Sequence, residues 1–177
     1  MTVKPPDRLS RNGSGDPVRG EQRAYADEPP QMPTRLHSKY RALAERILSA
    51  GHETLSRVVG VAARLAVENA GVEDAAGSAI AALNEKAPFD AEARQRLVDQ
   101  QAYWEGQYLD AQDAMEDSST LIPRQAALPA FRRARALAAL LEASGRLDGT
   151  RVTEVVYEAL AASPDEGAAV KMISAVM

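Results

Sequence analysis

The residues best suited to chemistry form a basic cluster between positions 124 and 135. Arg124 precedes the segment Phe131-Arg132-Arg133-Ala134-Arg135, and no acidic residue occurs between positions 124 and 141. On a helix with Phe131 inward, Arg132 and Arg135 point outward together, and Arg133 lies about 100° away from them. Guanidinium groups bind carboxylates or phosphates, because their planar N–H donors match two oxygens at once.

Three interpretations of this arginine cluster follow. In the first, which we rank highest, the arginines pair with the acidic face of the preceding helix, at Asp110, Asp113 or Asp117. In the second, they contact phosphates of a nucleic-acid backbone. In the third, they form a patch for a protein partner, in which arginine and tyrosine side chains such as Tyr103 or Tyr157 are typical anchors.

The chain has few other residues that could act as nucleophiles, general bases or metal ligands. The chain has no cysteine and two histidines, and neither His37 nor His52 has the HExxH or ExxH spacing that places two metal ligands on one helical face. Asp110, Asp113 and Asp117 share a face, but that face is expected to be solvated. No phosphate-binding loop or nucleophile motif occurs. We therefore predict no catalytic residue, no metal, no cofactor and no enzymatic activity.

The helix that must position the cluster is the long segment 89–117. Its apolar stripe predicts burial around Trp104, and its opposite face is acidic. Pro88 and Asp90 mark its start, with Asp90 as the capping residue. The predicted stripe comprises Ala93, Leu97, Gln101, Trp104, Tyr108, Ala111 and Met115, and the acidic face comprises Glu92, Asp99, Asp110, Asp113 and Asp117.

The rest of the chain is predicted to pack around this helix. Residues 1–34 are rich in proline and glycine with balanced charge, which predicts a disordered tail. Residues 35–177 are predicted to form one antiparallel bundle of six or seven helices, an all-α fold around the long central helix. Shorter helices are predicted from Thr34 to near Gly51, and at 53–69, 72–86, 129–143 and from 150. Gly71 is expected to follow the end of the helix at 53–69 as its C′ residue. The helices at 53–69 and from 150 are each predicted to bury an apolar stripe: Leu55, Val58, Val59, Ala62, Leu65 and Ala66 in the first, and Val152, Val155, Val156, Ala159 and Leu160 in the second. A capping box at Ser163-Pro164-Asp165-Glu166 is predicted to open the last helix.

Composition narrows the class of protein further. The net charge is −4 and the pI is about 5.3, which argues against a strongly basic coat protein for nucleic acid. No apolar run approaches the roughly 20 residues that span a bilayer, and no signal peptide is evident. We therefore expect a cytoplasmic protein that does not bind membranes.

A resemblance bears on the second interpretation. An all-helical chain of this size, with few catalytic residues and an arginine-bearing helix, resembles the small helical subunits of CRISPR effector complexes. The resemblance implies contact with a nucleic-acid backbone without catalysis. The architecture is similar to that of phage structural or packaging subunits, immunity proteins and helical adaptors to about the same degree.

The sequence thus predicts a non-enzymatic helical interaction or scaffold subunit of a larger assembly, with a protein partner or self-association. The alternative is a subunit that binds a nucleic-acid backbone through the Arg124–Arg135 region. In either case the predicted contacts are Arg124, Arg132, Arg133 and Arg135.

Overall fold

The structure is a computed structural model that describes residues 33–116 and 122–177, with side chains for 33–114 and 125–177. The regular structure in these ranges is entirely α-helical, as predicted. The helices are α1 (Arg35–Lys39), α2 (Arg41–Leu48), α3 (His52–Ala70), α4 (Glu73–Glu85), α5 (Ala91–Glu116), α6 (Ile122–Ala143), α7 (Gly149–Ala162) and α8 (Glu166–Ser174). The predicted tail lies outside the described residues except for Pro33 and Thr34.

The core lies where α3, α6 and α7 pack against one another. Each of these helices buries an apolar stripe, and fully buried side chains include Val58 of α3, Leu137 and Leu140 of α6, and Val155 of α7. The core also contains fully buried alanines, among them Ala62 of α3 and Ala136 and Ala139 of α6. Helix α5, at 26 residues the longest described helix, packs along α6.

Contacts between aromatic and arginine side chains show that α5 and α6 are antiparallel. Trp104 of α5 lies under Arg133 of α6, and Tyr108, one turn later on α5, packs against Phe131, which comes earlier on α6. Residue numbers therefore increase in opposite directions along α5 and α6. This arrangement places the α6 cluster beside the middle of α5.

The first predicted helix is interrupted at Tyr40, which divides it into α1 and α2. Tyr40 adopts φ −135° and ψ 64°, outside the helical region. The Tyr40 hydroxyl donates to Glu166 at 2.7 Å, and the Lys39 ammonium donates to the same carboxylate at 2.8 Å. A tertiary contact with α8 thus accompanies a break that local helix propensity did not indicate.

Helix α6 begins at Ile122, seven residues before the predicted start near Pro129. Pro129 lies inside the helix, where it cannot donate a hydrogen bond to the carbonyl of Gln125. Both residues are exposed, so water can satisfy that carbonyl. Proline is therefore tolerated here, and it does not delay the helix as the sequence suggested.

The predicted stripe of α5 is buried at its N-terminal end and becomes more exposed along the helix. Ala93 and Leu97 are buried, whereas Trp104 and Tyr108 are half-buried. Asp90 caps the helix as predicted, accepting from the Ala93 amide at 2.6 Å. Glu92, Asp99, Asp110 and Asp113 are exposed as predicted, and the side chains of Met115 and Asp117 lie outside the described set.

The capping box predicted at 163–166 is wrong. Asp165 is the N-cap of α8 and accepts from the Ala168 amide at 2.9 Å. Ser163 instead accepts a hydrogen bond from Asn69 of α3, and the Glu166 carboxylate bonds to Lys39 and Tyr40. Because the Glu166 carboxylate accepts hydrogen bonds from the Lys39 ammonium and the Tyr40 hydroxyl, it does not reach back to the N-terminus of α8.

We expect Leu97→Ala to destabilise the fold by about 2–5 kcal/mol, the usual cost of truncating a fully buried leucine. Leu97 is 1% exposed. The matched control is Val98→Ala on the same helix, which is 41% exposed and should change the unfolding free energy by no more than about 0.5 kcal/mol. Chemical denaturation measures both, and equal losses would show that α5 does not pack as described.

The link between α8 and the α1–α2 break should depend on pH. Burial raises the pKa of Glu166, but hydrogen bonds from Lys39 and Tyr40 outweigh it, so the pKa lies below its ordinary value of 4.5. Stability from this carboxylate is therefore present above pH 4.5 and is lost as the pH falls through the folded-state pKa.

Glu166→Gln should consequently lose less stability than the parent protein between about pH 5 and pH 3, because the glutamine cannot be protonated there. Denaturant midpoints across this range are the measurement. Glu85→Gln serves as the control, because Glu85 is exposed and makes no ion pair among the described residues. Parallel pH profiles for Glu166→Gln and the parent protein would contradict the proposed linkage.

Candidate interaction surface on helix α6

Arg133 is used inside the domain. Its guanidinium lies 4.4 Å from the centre of the Trp104 ring, a cation–π geometry. Its Nε donates to the carbonyl oxygen of Ala70 at 3.4 Å, at the C-terminal end of α3. Arginine is favourable at this position because the last carbonyls of a helix lack backbone donors. Arg133 therefore links the middle of α6 to the middle of α5 and to the C-terminal end of α3.

Arg135 is also engaged, by two carboxylates from different helices. Its guanidinium contacts Glu105 of α5 at 3.0 Å and Glu158 of α7 at 3.3 Å. The same group lies 5.4 Å from the centre of the Phe131 ring. Its Nε atom is buried and has no hydrogen-bond acceptor. Arg135 thus contributes to packing and charge pairing within the domain.

Glu158 is the centre of this arrangement. It is 3% exposed, and burying a carboxylate is costly unless nearby cations or hydrogen-bond donors compensate it. Arg35 of α1 supplies the second cation at 2.7 Å, and Arg35 also contacts Glu154 at 2.6 Å. A chain of alternating charges therefore links α5, α6, α7 and α1. We call Glu105, Arg135, Glu158, Arg35 and Glu154 the charge network.

Sequence reasoning did not identify Glu158 as buried. The helix α7 was predicted to bury Val152, Val155 and neighbouring residues, which is confirmed. Position 158 lies only about 60° from Val155 around the helix, so it borders the apolar stripe. This border position was the one sequence signal that Glu158 could be buried. Its partners Arg35 and Arg135 are distant in sequence, so helical spacing could not assign them to Glu158.

The first interpretation of the arginine cluster matches the structure in type of contact but not in the acids named. Arg135 pairs with Glu105 and Glu158. Asp110 and Asp113 are exposed and make no ion pair in the described part of the chain, and Asp117 lies outside it. The reason is the register of α5 on α6, which places Glu105 level with Arg135.

Arg132 differs from the two engaged arginines. Arg132 is half-buried and makes no hydrogen bond or ion pair with the residues that the structure describes. Arg124 lies in the first turn of α6, where side chains are not described. Of the three cluster arginines whose side chains are described, Arg132 alone has no hydrogen-bond or ion-pair partner among the described residues.

Arg132 shares one side of the α5–α6 pair with two exposed leucines. The ion pair between Glu105 and Arg135 fixes which sides of the two helices lie together. Leu109 follows Glu105 by four residues, and Arg132 and Leu128 precede Arg135 by three and seven residues, so all lie on that side. Asp113 follows Leu109 by a further four residues and lies on the same side. We call Leu109, Asp113, Leu128 and Arg132 the distal face.

Exposed large apolar side chains are concentrated on this helix pair. Leu109 is 55% exposed and Leu128 is 40% exposed. Among the described residues the large exposed hydrophobics are Val98, Tyr103, Leu109, Leu128 and Met172, and only Met172 lies outside α5 and α6. A single exposed leucine is ordinary on a folded surface, whereas here four of the five exposed side chains lie on α5 and α6.

No three His, Cys, Asp or Glu side chains in this part of the chain come together in a group that could hold a metal ion. None of the helices in the described ranges has the length and hydropathy needed to cross a membrane.

Comparisons with protein-family models, with curated proteins and with solved structures give no match for this chain.

The charge network makes a prediction about stability. Glu158→Gln should cost about 1–3 kcal/mol, below the roughly 3–5 kcal/mol of a fully buried ion pair, because Arg35 and Arg135 each keep a second carboxylate. Chemical denaturation at neutral pH is the measurement.

Glu154→Gln is the matched control for Glu158→Gln. Glu154 lies one turn earlier on α7 but is more exposed and pairs only with Arg35, so its change should cost less than about 1 kcal/mol. A loss for Glu154→Gln as large as that for Glu158→Gln would contradict the central position of Glu158.

Proposed function

We propose that this protein is a non-enzymatic helical interaction subunit, and that the distal face is its docking surface. The observation that carries the proposal is the combination of exposed Leu109 and Leu128 with the uncompensated cation of Arg132 on one side of the α5–α6 pair. Interface centres are enriched in apolar side chains and arginine, whereas ordinary surface is enriched in lysine and glutamate.

The charges of the distal face favour a second copy of the same chain as the occupant. The face contains one unpaired cation, Arg132, and one unpaired carboxylate, Asp113, on either side of the two leucines. Such a surface is complementary to itself, because a two-fold axis brings each charge of one copy toward the opposite charge of the other. The leucines of both copies then supply the apolar centre.

The alternative function, binding of a nucleic-acid backbone through Arg124, Arg132, Arg133 and Arg135, receives less support. Arg133 lies on Trp104, and Arg135 is held between two carboxylates. Phosphate contact by these two arginines would require their internal contacts to be given up. Affinity for nucleic acid depends on several phosphate contacts at once, and Arg132 remains as the single described arginine of the cluster with no internal partner.

Self-association is tested by charge reversal on the distal face. The parent protein should form a dimer whose dissociation constant is measured by sedimentation velocity or light scattering across a concentration series. Arg132→Glu and Asp113→Arg should each weaken the dimer by about tenfold or more, because each places like charges opposite one another across the two-fold axis.

The double variant Arg132→Glu with Asp113→Arg is the decisive control, since it restores opposite charges and should recover most of the affinity. Glu85→Arg, on exposed α4, should leave the dimer unchanged. A parent protein that stays monomeric at hundreds of micromolar would contradict self-association through this face. A monomer that bound nucleic acid with steep salt dependence would favour the alternative function.

A further inference from the structure

A cleft of about 310 Å³ lies on a different part of the molecule from the distal face. Its walls come from the first half of α3, the end of α4 with the loop that follows, and the α6–α7 connection. Its apolar floor contains Val59, Leu83, Phe89 and Leu147. This volume is at the lower end of the range of about 300–1,000 Å³ for small-molecule sites.

Polar groups at the cleft are placed on the rim. His52, Ser56 and Lys86 line it, and none of their side chains makes a hydrogen bond or ion pair with the described residues. Ser144 also lines the cleft, but its hydroxyl already donates to the Leu141 carbonyl at 2.7 Å. A site with an apolar body and a few convergent polar groups is the usual form of a small-molecule pocket.

Gly60 leaves part of the cleft wall without a side chain. It lies within the 19-residue helix α3, where glycine lowers helix stability relative to alanine. A Cβ atom added at Gly60 would meet nothing within 4 Å, so close packing does not require glycine there. Because Gly60 lines the cleft, the missing side chain leaves that volume empty.

Lys86 is a second residue that the local backbone does not favour. It ends α4 in the left-handed conformation with φ 54°, and it is the one non-glycine residue with positive φ in the described ranges. Glycine or asparagine is the usual choice at such a helix end. Retaining lysine in a strained position is a pattern associated with functional sites, and this lysine adds a positive charge to the cleft rim.

From the cleft, its unpartnered rim groups and these two residues, we infer that the cleft binds a small organic carboxylate with an apolar body. The carboxylate lies at the rim near the Lys86 ammonium, with His52 and Ser56 as further hydrogen-bonding groups. The apolar body occupies the floor between Leu83, Phe89 and Leu147. This inference is independent of the proposed self-association, since none of the cleft residues belongs to the distal face.

The test uses the full chain and two probes of the same shape, 4-phenylbutyrate and its neutral analogue 4-phenylbutan-1-ol. Backbone amide NMR spectra are recorded during titration with each probe. Amides lining the cleft at 56–60, 83–89 and 143–147 should shift, and the carboxylate should bind about fivefold more tightly than the alcohol, as expected for a partly exposed ion pair.

Variants separate the contributions of shape and charge. Gly60→Met should fill the cleft and abolish the shifts with both probes, whereas Gly77→Met, at another helical glycine with open space around it, should leave binding unchanged. Lys86→Gln should reduce the affinity for 4-phenylbutyrate to that for the alcohol. Melting temperatures confirm that each variant is folded.

Three results would overturn the inference: no cleft shifts with either probe at millimolar concentration, equal binding by Gly60→Met and the parent protein, or equal affinity for the acid and the alcohol. The first would remove the site altogether, the second would place the probes elsewhere, and the third would remove the role of Lys86.

Discussion

The buried carboxylate of Glu158 is the constraint on which the arrangement of the helices depends. A charged group that is 3% exposed is stable only beside opposite charges. Those charges come from Arg35 on α1 and Arg135 on α6, which are distant in sequence. The carboxylate on α7 can be satisfied only when α1 and α6 are in place, and Glu105 extends the requirement to α5. Apolar burial supplies the driving force for folding, and the charge network specifies how these four helices meet.

The charge network also separates the arginines with internal partners from the one without. Three arginines that look equivalent in the segment 131–135 have three different roles in the folded chain. Arg135 satisfies Glu158, Arg133 covers Trp104 and caps α3, and Arg132 is left without an ionic partner. Leu128 and Arg132, seven and three residues before Arg135, lie on the side of α6 that carries this pairing. The distal face is thus a geometric consequence of the internal pairing.

Much of the fold could be predicted from local signals. The apolar stripes of α3 and α7, the left-handed Gly71 after α3 and the Asp90 cap of α5 are patterns within one helical turn or one helix, and each is confirmed. The early start of α6 is a local error, because an exposed carbonyl at Gln125 tolerates Pro129 inside the helix. The other errors concern residues whose partners lie far away in sequence. Tyr40 breaks a helix beside Glu166, Glu166 leaves its expected cap for Lys39, and Glu158 is buried beside Arg35. The prediction of the arginine cluster failed to separate its members for the same reason, because helical spacing gives a direction but not a partner.

A double-mutant cycle between Arg135 and Glu158 tests the central claim most directly. The unfolding free energies of the parent protein, Arg135→Gln, Glu158→Gln and the double variant are measured at low salt and at 1 M NaCl. A pair that organises the core should give a coupling energy of about 1 kcal/mol or more, within the range for contacting residues. Most of that coupling should persist at 1 M NaCl, because salt screens buried charges weakly. A coupling below about 0.3 kcal/mol, within the usual error of additivity, or one that disappears at 1 M NaCl, would contradict the claim.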